Sequence, residues 1–530
     1  MDFAWSTVDP TTMGQPPHQI PQVQNLSLGK FWTTLSPHIR VLPDPMAGNS
    51  MLIVPNTPPE QFGTFIDGLK NTPSYGLHNP YRNIERYNML GKVSAKVAGA
   101  LSQADIADYF ATLIQRVMPK SYAQCIGEVT VTRDFFYNFA GDNPRFHFGR
   151  GFSVTGNHDG QRSNGYRWPH GAVVIITPFN FPLEIPALQI MGALLTGNRP
   201  LVKSDSKVSV VTEQFIRLLI ACGLPTVDID LIHCSGENMG HLLKEAERHI
   251  DFCQFTGSSE VGEYVMQTLK GRVKLEDSGF NWKIIGRDVP DEYLEYIAWQ
   301  CDHDAYAASG QKCSAQSLLF VHKWQSITLE ITLKKLAKRR SLSDLTVGPL
   351  LSVNNEQIYE HIAKILTLHG TCLNWGGNPL TLHTIPACYG AYEPTAISVP
   401  ISLFCVEQQF ELLTKEIFGP FQLIVEYNDE QVDTMLEILE RVAHHLTAAV
   451  VSNDQEFIGK VLGATKNGTT YVGLRARTTG APQNHWFGPC GPTAAGIGTP
   501  ESIIATWTAH REVVFDTFPP SATWILPDPS

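Results

Sequence analysis

The chain has 530 residues, 43% hydrophobic and 17% charged, with a formal net charge of −11. This balance excludes a disordered or fibrous chain and fits two or three folded domains, since a domain usually runs to about 100–200 residues. The acidic surplus excludes the basic surface that nucleic acid requires, and no apolar run approaches the roughly 18–20 residues of a membrane span.

Residues 1 to about 60 are rich in proline and turn formers, with short strand-like pieces at VLPD and MLIVP, and read as a wrapping segment. The opening MDFAWSTVDPTTMGQPP has no arginine and no long apolar stretch, so it reads as neither a secretory signal nor a transit peptide. From Pro59 to about Asn138 the pattern becomes helical, with apolar residues recurring at three and four in AKVAGALSQADIADYFATLIQRV.

At Gly171 the pattern changes again. AVVIITP is a short, continuous β-branched run, the mark of a strand buried on both faces. LEIPALQIMGALLTG predicts a helix, RPLVKS a strand, VSVVTEQFIRLLIACG a helix and VDIDLIHCSG a strand. MGHLLKEAERH, IDFCQFTG and SSEVGEYVMQTLKG continue as helix, strand and helix. Such alternation predicts a parallel, doubly wound sheet of the nucleotide-binding kind.

A second α/β run follows Lys274, with strands at SLLFVHK and TAAVVSN and helices at DEYLEYIAWQCDHDAYAA and DEQVDTMLEILERVAHHL. The basic KKLAKRR alternates with apolar residues and reads as a solvated helix face. FSVTGNHDGQRSNGYRWP and ATWTAHREVVFDTF are strand-like, flank the two runs and could pair as an arm outside both cores. The expected division is 1–150 with 171–274, then 275–500, with 151–170 and 501–520 as the arm.

The ten cysteines include no C-x-x-C pair, which implies free thiols in a reducing compartment. No cysteine or histidine pair has zinc-ligand spacing, and no metal is expected. The His444-His445 doublet is expected to split across a helix.

Four segments carry candidate chemistry. FTGSSEVG ends a strand at Gly257 and opens a helix at Ser258 and Ser259, where backbone N–H groups suit a pyrophosphate, although an ordinary serine cap has the same look. TPFNFP sets Asn180 at a strand-to-helix turn, as an amide donor or a plain turn former. KLEDSGF places Glu276 at a strand end, as a base on water or a surface carboxylate. SGQKCSAQS presents Cys313 on what reads as an exposed turn, where Lys312 or a helix end would favour thiolate; most lone cysteines are inert core residues.

Taken together and in this order, with LVKSDSK and KEIFGP, these segments resemble the aldehyde dehydrogenase superfamily over about residues 25–515. NGYRWPHG, TPFNFPLEIP, KLEDSGFNWK and RARTTGAPQNHWFGP are closest to its plant-type Δ1-pyrroline-5-carboxylate dehydrogenase branch. The resemblance implies an α/β fold: a Rossmann-type parallel-sheet cofactor domain, an α/β catalytic domain and a β oligomerisation arm. It implies Cys313 as nucleophile, Asn180 as oxyanion donor and Glu276 as base. Cofactor contacts would come from Thr177, Pro178, Phe179, Lys203, Ser206, Gly257, Ser258, Glu416 and Phe418. Substrate contacts would come from Phe181, Phe487, Ser314 and Arg477, with Arg475 a further candidate and WFGPCGPTAAGIG as the loop that anchors the substrate carboxylate.

The implied activity is NAD-dependent oxidation of L-glutamate γ-semialdehyde in proline catabolism, in the mitochondrial matrix, by a homo-oligomer. Another semialdehyde or an aliphatic aldehyde is the alternative substrate, and a catalytically silent binding protein is the alternative of another class. Many relatives carry a glutamate where this chain has Ser206. A serine does not repel a 2′-phosphate, so NADP is also compatible. The D-S-G-F after the base and the Gly488-Pro489 pair depart from the commoner family pattern.

Overall fold

A computed structural model describes residues 4–15, 19–277 and 279–529. The run AVVIIT forms the strand Ala172–Thr177, buried along its whole length, as a sheet covered on both faces demands. Parallel strands flank it in the order 273–276, 252–256, 172–177, 199–204, 230–231. Two short antiparallel strands, Asn25–Ser27 and Lys30–Trp32, extend the far edge. Strand order reverses between Ala172–Thr177 and Phe252–Thr256. Such a switch point leaves a crevice at the C-terminal ends of the strands.

The crossovers are the helices Glu184–Leu195, Ser209–Ala221, Gly236–Glu245 and Ser259–Thr268. All residues of Glu184–Leu195 are buried, because the helices Tyr122–Asn138 and Pro500–Trp507 pack over it. That cover explains why the segment is apolar all round rather than amphipathic.

A second sheet has the order 372–375, 395–398, 421–427, 316–322, 281–285, 447–451, 469–472. All of its neighbours are parallel except Cys372–Trp375, which pairs antiparallel with Thr395–Ser398. Outside both cores, Thr508–Asp516 pairs antiparallel with Gln161–Pro169, and Phe152–Thr155 adds an edge.

Three elements differ from expectation. The VDIDLIHCSG strand shrinks to Asp230–Leu231, because the side chains of Asn25 and Asn56 take the N–H groups of His233 and Ser235 at 2.8 and 2.7 Å. The helix expected through Leu446 stops at Arg441, and Val442 is extended, so the His444-His445 doublet is not helical. The segment before Thr508 is a helix, Pro500–Trp507, started by a Thr499/Ser502 capping box with proline in its first turn. Among the described residues no helix is long and apolar enough to cross a membrane.

Candidate active site

The turn carrying Asn180 is fastened from below by a buried ion pair. Lys120 Nζ lies 2.7 Å from Glu128 Oε2 and donates to the Asn180 carbonyl at 3.1 Å. Glu128 Oε1 accepts the N–H groups of Leu183 and Glu184 at 2.8 and 3.1 Å. These are orphan donors at the start of Glu184–Leu195, a helix without a side-chain cap of its own. The carboxylate therefore serves as a distant cap. Asn180 itself is 2% exposed, and its side-chain oxygen has no hydrogen-bond partner, so the amide is free of a structural task at that atom.

Cys313 sits in the turn between the helix Leu294–Tyr306 and the strand Gln316–His322 of the second sheet. The chain reaches it through Ala308, Ser309 and Gly310, all at positive φ of 53°, 57° and 71°. Two consecutive non-glycine residues in the left-handed region are costly, and such backbone collects at functional sites. A Cβ on Gly310 would stand 2.1 Å from the Gly419 carbonyl oxygen, so glycine is required there. Asn281 Nδ2 donates to the carbonyls of Cys313 and Ala315 at 2.7 and 2.9 Å, while its Oδ1 takes the Thr447 N–H at 3.0 Å. Cys313 is half-buried rather than fully exposed.

Glu276 ends the strand Val273–Glu276 at the edge of the first sheet. The chain then passes Cys313 closely: a Cβ on Gly279 would lie 2.0 Å from the Cys313 carbonyl oxygen. Ser278 of the same motif lies outside the described residues. The free side of this strand is taken by the glycine-rich loop, since Leu275 N–H donates to Thr493 at 2.7 Å and Ala495 N–H to Leu275 at 3.0 Å. Phe487 and Ile497 pair across the base of that loop. Phe487 is buried in the apolar cluster against which Cys313 and Phe418 pack.

A cleft of about 930 Å³ opens at the switch point, within the range of small-molecule and cofactor sites. Its lining includes Thr177, Pro178, Phe179, Asn180, Lys203, Gly257, Ser258, Glu276, Cys313, Glu416 and Phe418. Ser258 makes no side-chain cap to the helix Ser259–Thr268, which leaves that helix start open to an anion. Phe418 lies edge-on to Phe179 at 5.8 Å and adopts a positive φ of 51°. Glu416 accepts the Gly279 N–H at 3.4 Å. A long cleft with an open helix start at its wall and carboxylate and ammonium groups along it fits a dinucleotide.

Burial sets the electrostatics. It pushes Glu276 up to about 7, opposed by interaction with the Cys313 thiol and reinforced by Asp277. Neither Glu276 oxygen has a hydrogen-bond partner of normal geometry. Burial likewise lifts Glu416 to about 8. The Cys313 thiol is raised well above its ordinary value by burial and by Glu276, Glu416 and Glu184. The thiolate-favouring setting expected from Lys312 is thus outweighed by burial first and by the carboxylates after it.

Other predicted residues lie off this cleft. Ser206 is buried, hydrogen-bonded by Arg40 and donating to the Cys234 carbonyl at 3.3 Å. Phe181 is half-buried beneath Lys120, whose Nζ is 4.6 Å from the ring centre. Ser314 is buried next to Cys313. Arg477 is exposed, stacked at 5.4 Å over Tyr471, and Arg475 is exposed as well; neither lines the cleft. Sequence reading missed Lys120, Glu128, Asn281, Lys207 and His444. Of these, Asn281, two residues after Gly279 in GFNWK, and Lys207, the last residue of LVKSDSK and part of the cleft lining, carried a local signal. His444 lines the cleft and stands 3.9 Å from Asp277, far in sequence from every motif.

A switch-point cleft with a thiol, a carboxylate and an amide converging on it defines an α/β enzyme built for covalent chemistry beside a dinucleotide-sized cavity. The chain belongs to the aldehyde dehydrogenase family, whose pattern matches residues 85–513. A probable aldehyde dehydrogenase of Linum usitatissimum is 53% identical over 96% of this chain and 91% of that protein. A mitochondrial delta-1-pyrroline-5-carboxylate dehydrogenase of Arabidopsis thaliana is also 53% identical, over 96% of this chain and 90% of its own length. Among solved structures, betaine aldehyde dehydrogenase of Staphylococcus aureus in complex with NAD+ has the same fold, with a TM-score of 0.80, 19% identity and coverage of 95% of this chain and 97% of that one.

Proposed function

We propose that this enzyme oxidises L-glutamate γ-semialdehyde, the open form of Δ1-pyrroline-5-carboxylate, to L-glutamate with NAD, in proline breakdown. The observation that carries the reading is the meeting of Cys313, Glu276 and Asn180 on one cleft, in a chain 53% identical to a protein of that name. Cys313 Sγ, once deprotonated, forms a bond to the aldehyde carbon as the carbonyl π pair moves to oxygen. The oxyanion is held by the Asn180 side-chain amide and the Cys313 backbone N–H; a donor of this kind is worth about 100- to 1000-fold in rate. Bound NAD supplies the acceptor for the hydride that leaves this carbon.

Glu276 then takes a proton from water, whose oxygen attacks the resulting Cys313 thioester and releases the acid and the thiol. Lys203 and Glu416 hold ribose hydroxyls, Phe418 and the 177–179 turn flank the nicotinamide, and Gly257 and Ser258 meet the pyrophosphate. Ser206, held by the Arg40 side chain, stands where many relatives carry a glutamate, and without that carboxylate the site is compatible with NADP as well as NAD. Phe181 and Phe487 wall the aldehyde, with Ser314 and the 486–498 loop at its carboxylate and Arg477 beyond.

The reading includes a cofactor domain (1–150 and 171–274), a catalytic domain (275–500) and an arm (151–170 and 501–520) that pairs copies into a homo-oligomer in the mitochondrial matrix. The exposed Phe152 and Val154 on the arm's edge strand support such pairing. Initial rates with glutamate γ-semialdehyde, succinic semialdehyde and butanal, each against NAD and NADP, test the assignment. A higher kcat/KM for glutamate γ-semialdehyde is expected, and a clear preference for butanal would overturn it.

A further inference from the structure

The turn that leads into the strand Thr447–Val451 of the second sheet brings His444 onto the wall of the large cleft. None of the cofactor contacts implied by the resemblance lies in this turn. His444 holds a left-handed backbone, φ 61°, which is sparsely populated by non-glycine residues and collects at functional sites. The Leu446 N–H donates to the His444 carbonyl at 2.8 Å, and the N–H groups of Gly468 and Cys490 donate to the His445 carbonyl at 2.9 and 3.2 Å. The backbone therefore fixes where the ring stands. Among the described residues the ring makes one polar approach, Nδ1 at 3.9 Å from Asp277 Oδ1.

Asp277 belongs to the opposite side of the cleft, directly after the strand Val273–Glu276 of the first sheet. Its backbone carbonyl accepts from Ser259 Oγ at 2.6 Å, which ties it to the first residue of the helix Ser259–Thr268. His444, Asp277 and Ser259 thus form a chain of contacts from the second sheet to the helix start that Ser258 leaves uncapped. The side chains of His444 and Asp277 are 36% and 25% exposed. A pair this long and this open to water contributes little to stability, so holding the fold together does not account for a left-handed histidine at this place. Of the other cations lining the cleft, Lys207 is paired with Asp205 at 3.0 Å, while Lys203 and Lys415 stand on the strand Arg199–Ser204 and beside Glu416. The helix start offers backbone N–H groups, and a diphosphate, charged on both phosphoryl groups, is held better where a basic side chain joins them.

We propose that His444 is a cofactor-binding residue that donates from its ring to the diphosphate of NAD, across the cleft from the helix start at Ser258, with Asp277 orienting the ring. This rests on the functional reading above and adds to it a contact from the second sheet, at a subsite otherwise built by the first. With Nδ1 toward Asp277, Nε2 is the nitrogen that remains for a ligand. An imidazole N–H on an anionic phosphoryl oxygen is a charge-assisted hydrogen bond. The diphosphate is then gripped from both sheets, and the adenosine end does not sense the histidine.

The test measures Kd for NADH, for ADP-ribose, which keeps the diphosphate and lacks the nicotinamide, and for adenosine, which lacks both. The variant is His444→Asn, which shortens the side chain and accepts a left-handed backbone. Its Kd for NADH and for ADP-ribose is expected to rise about tenfold while that for adenosine is unchanged. Unchanged affinity for ADP-ribose overturns the proposal, and so does an equal rise for adenosine, which marks a structural role. Independently of folding in the variant, ADP-ribose protects wild-type His444 from diethyl pyrocarbonate, read by peptide mass, and adenosine at the same fractional occupancy does not. Equal modification of His444 with and without ADP-ribose overturns the contact. A wild type that binds neither NADH nor ADP-ribose overturns the functional reading as well. One that binds both yet fails to oxidise glutamate γ-semialdehyde overturns the substrate assignment and leaves His444 in place.

Discussion

The role proposed for Glu276 depends on the burial that also restrains it. Its raised value of about 7 means the carboxyl is protonated at low pH and becomes a base as pH rises through neutrality. The rate constant for thioester hydrolysis is therefore expected to climb with pH up to about 7 and then level; rapid-quench measurement of deacylation checks this. In Glu276→Gln that rise vanishes, and a burst of one reduced cofactor per site precedes a steady state about 100-fold slower or worse. A full steady-state rate in that variant would remove Glu276 from the mechanism. Cys313→Ala is expected to lose at least about a thousandfold in activity while still binding NAD, read by rate and by fluorescence quenching together.

At the scale of elements, the Asn180 turn depends on an ion pair contributed by the helix Tyr122–Asn138. Lys120→Met leaves Glu128 buried and uncompensated, which costs about 3–5 kcal/mol and is read as a lower melting temperature. Replacing both partners, as Lys120→Met with Glu128→Leu, recovers only part of that loss, because the Leu183 and Glu184 N–H groups then lack an acceptor. Complete recovery would show that the pair does not cap the helix. Similarly, Gly279→Ala drives a methyl into the Cys313 carbonyl. Its kcat is expected to fall further than its cofactor affinity, since the displaced atom belongs to the Cys313 turn.

For the whole molecule, the groups proposed to react come from two sheets. Glu276 ends an edge strand of the first, Cys313 precedes a central strand of the second, and the 486–498 loop joins the first by pairing with Leu275. The arm stands outside both, with Phe152 76% and Val154 46% exposed on its edge strand. Val154→Pro removes a ladder donor from that edge. The expected result is a smaller sedimenting species than the wild type; an unchanged mass would mean that copies assemble elsewhere.

What the sequence determined by itself was carried by local rules. Continuous β-branched runs announce buried parallel strands, and TPFNFP, KLEDSGF and SGQKCSAQS show which side chains stand at strand ends and turns. Those signals are legible because period and turn chemistry act between near neighbours. Lys120, Glu128 and His444 were legible only as residue types. What Lys120 fastens, why Glu128 caps a helix 55 residues away, and that His444 joins the lining of the cleft were decided by the tertiary structure. The physical reason is that the worth of a buried charge depends on what remains near it once water is gone.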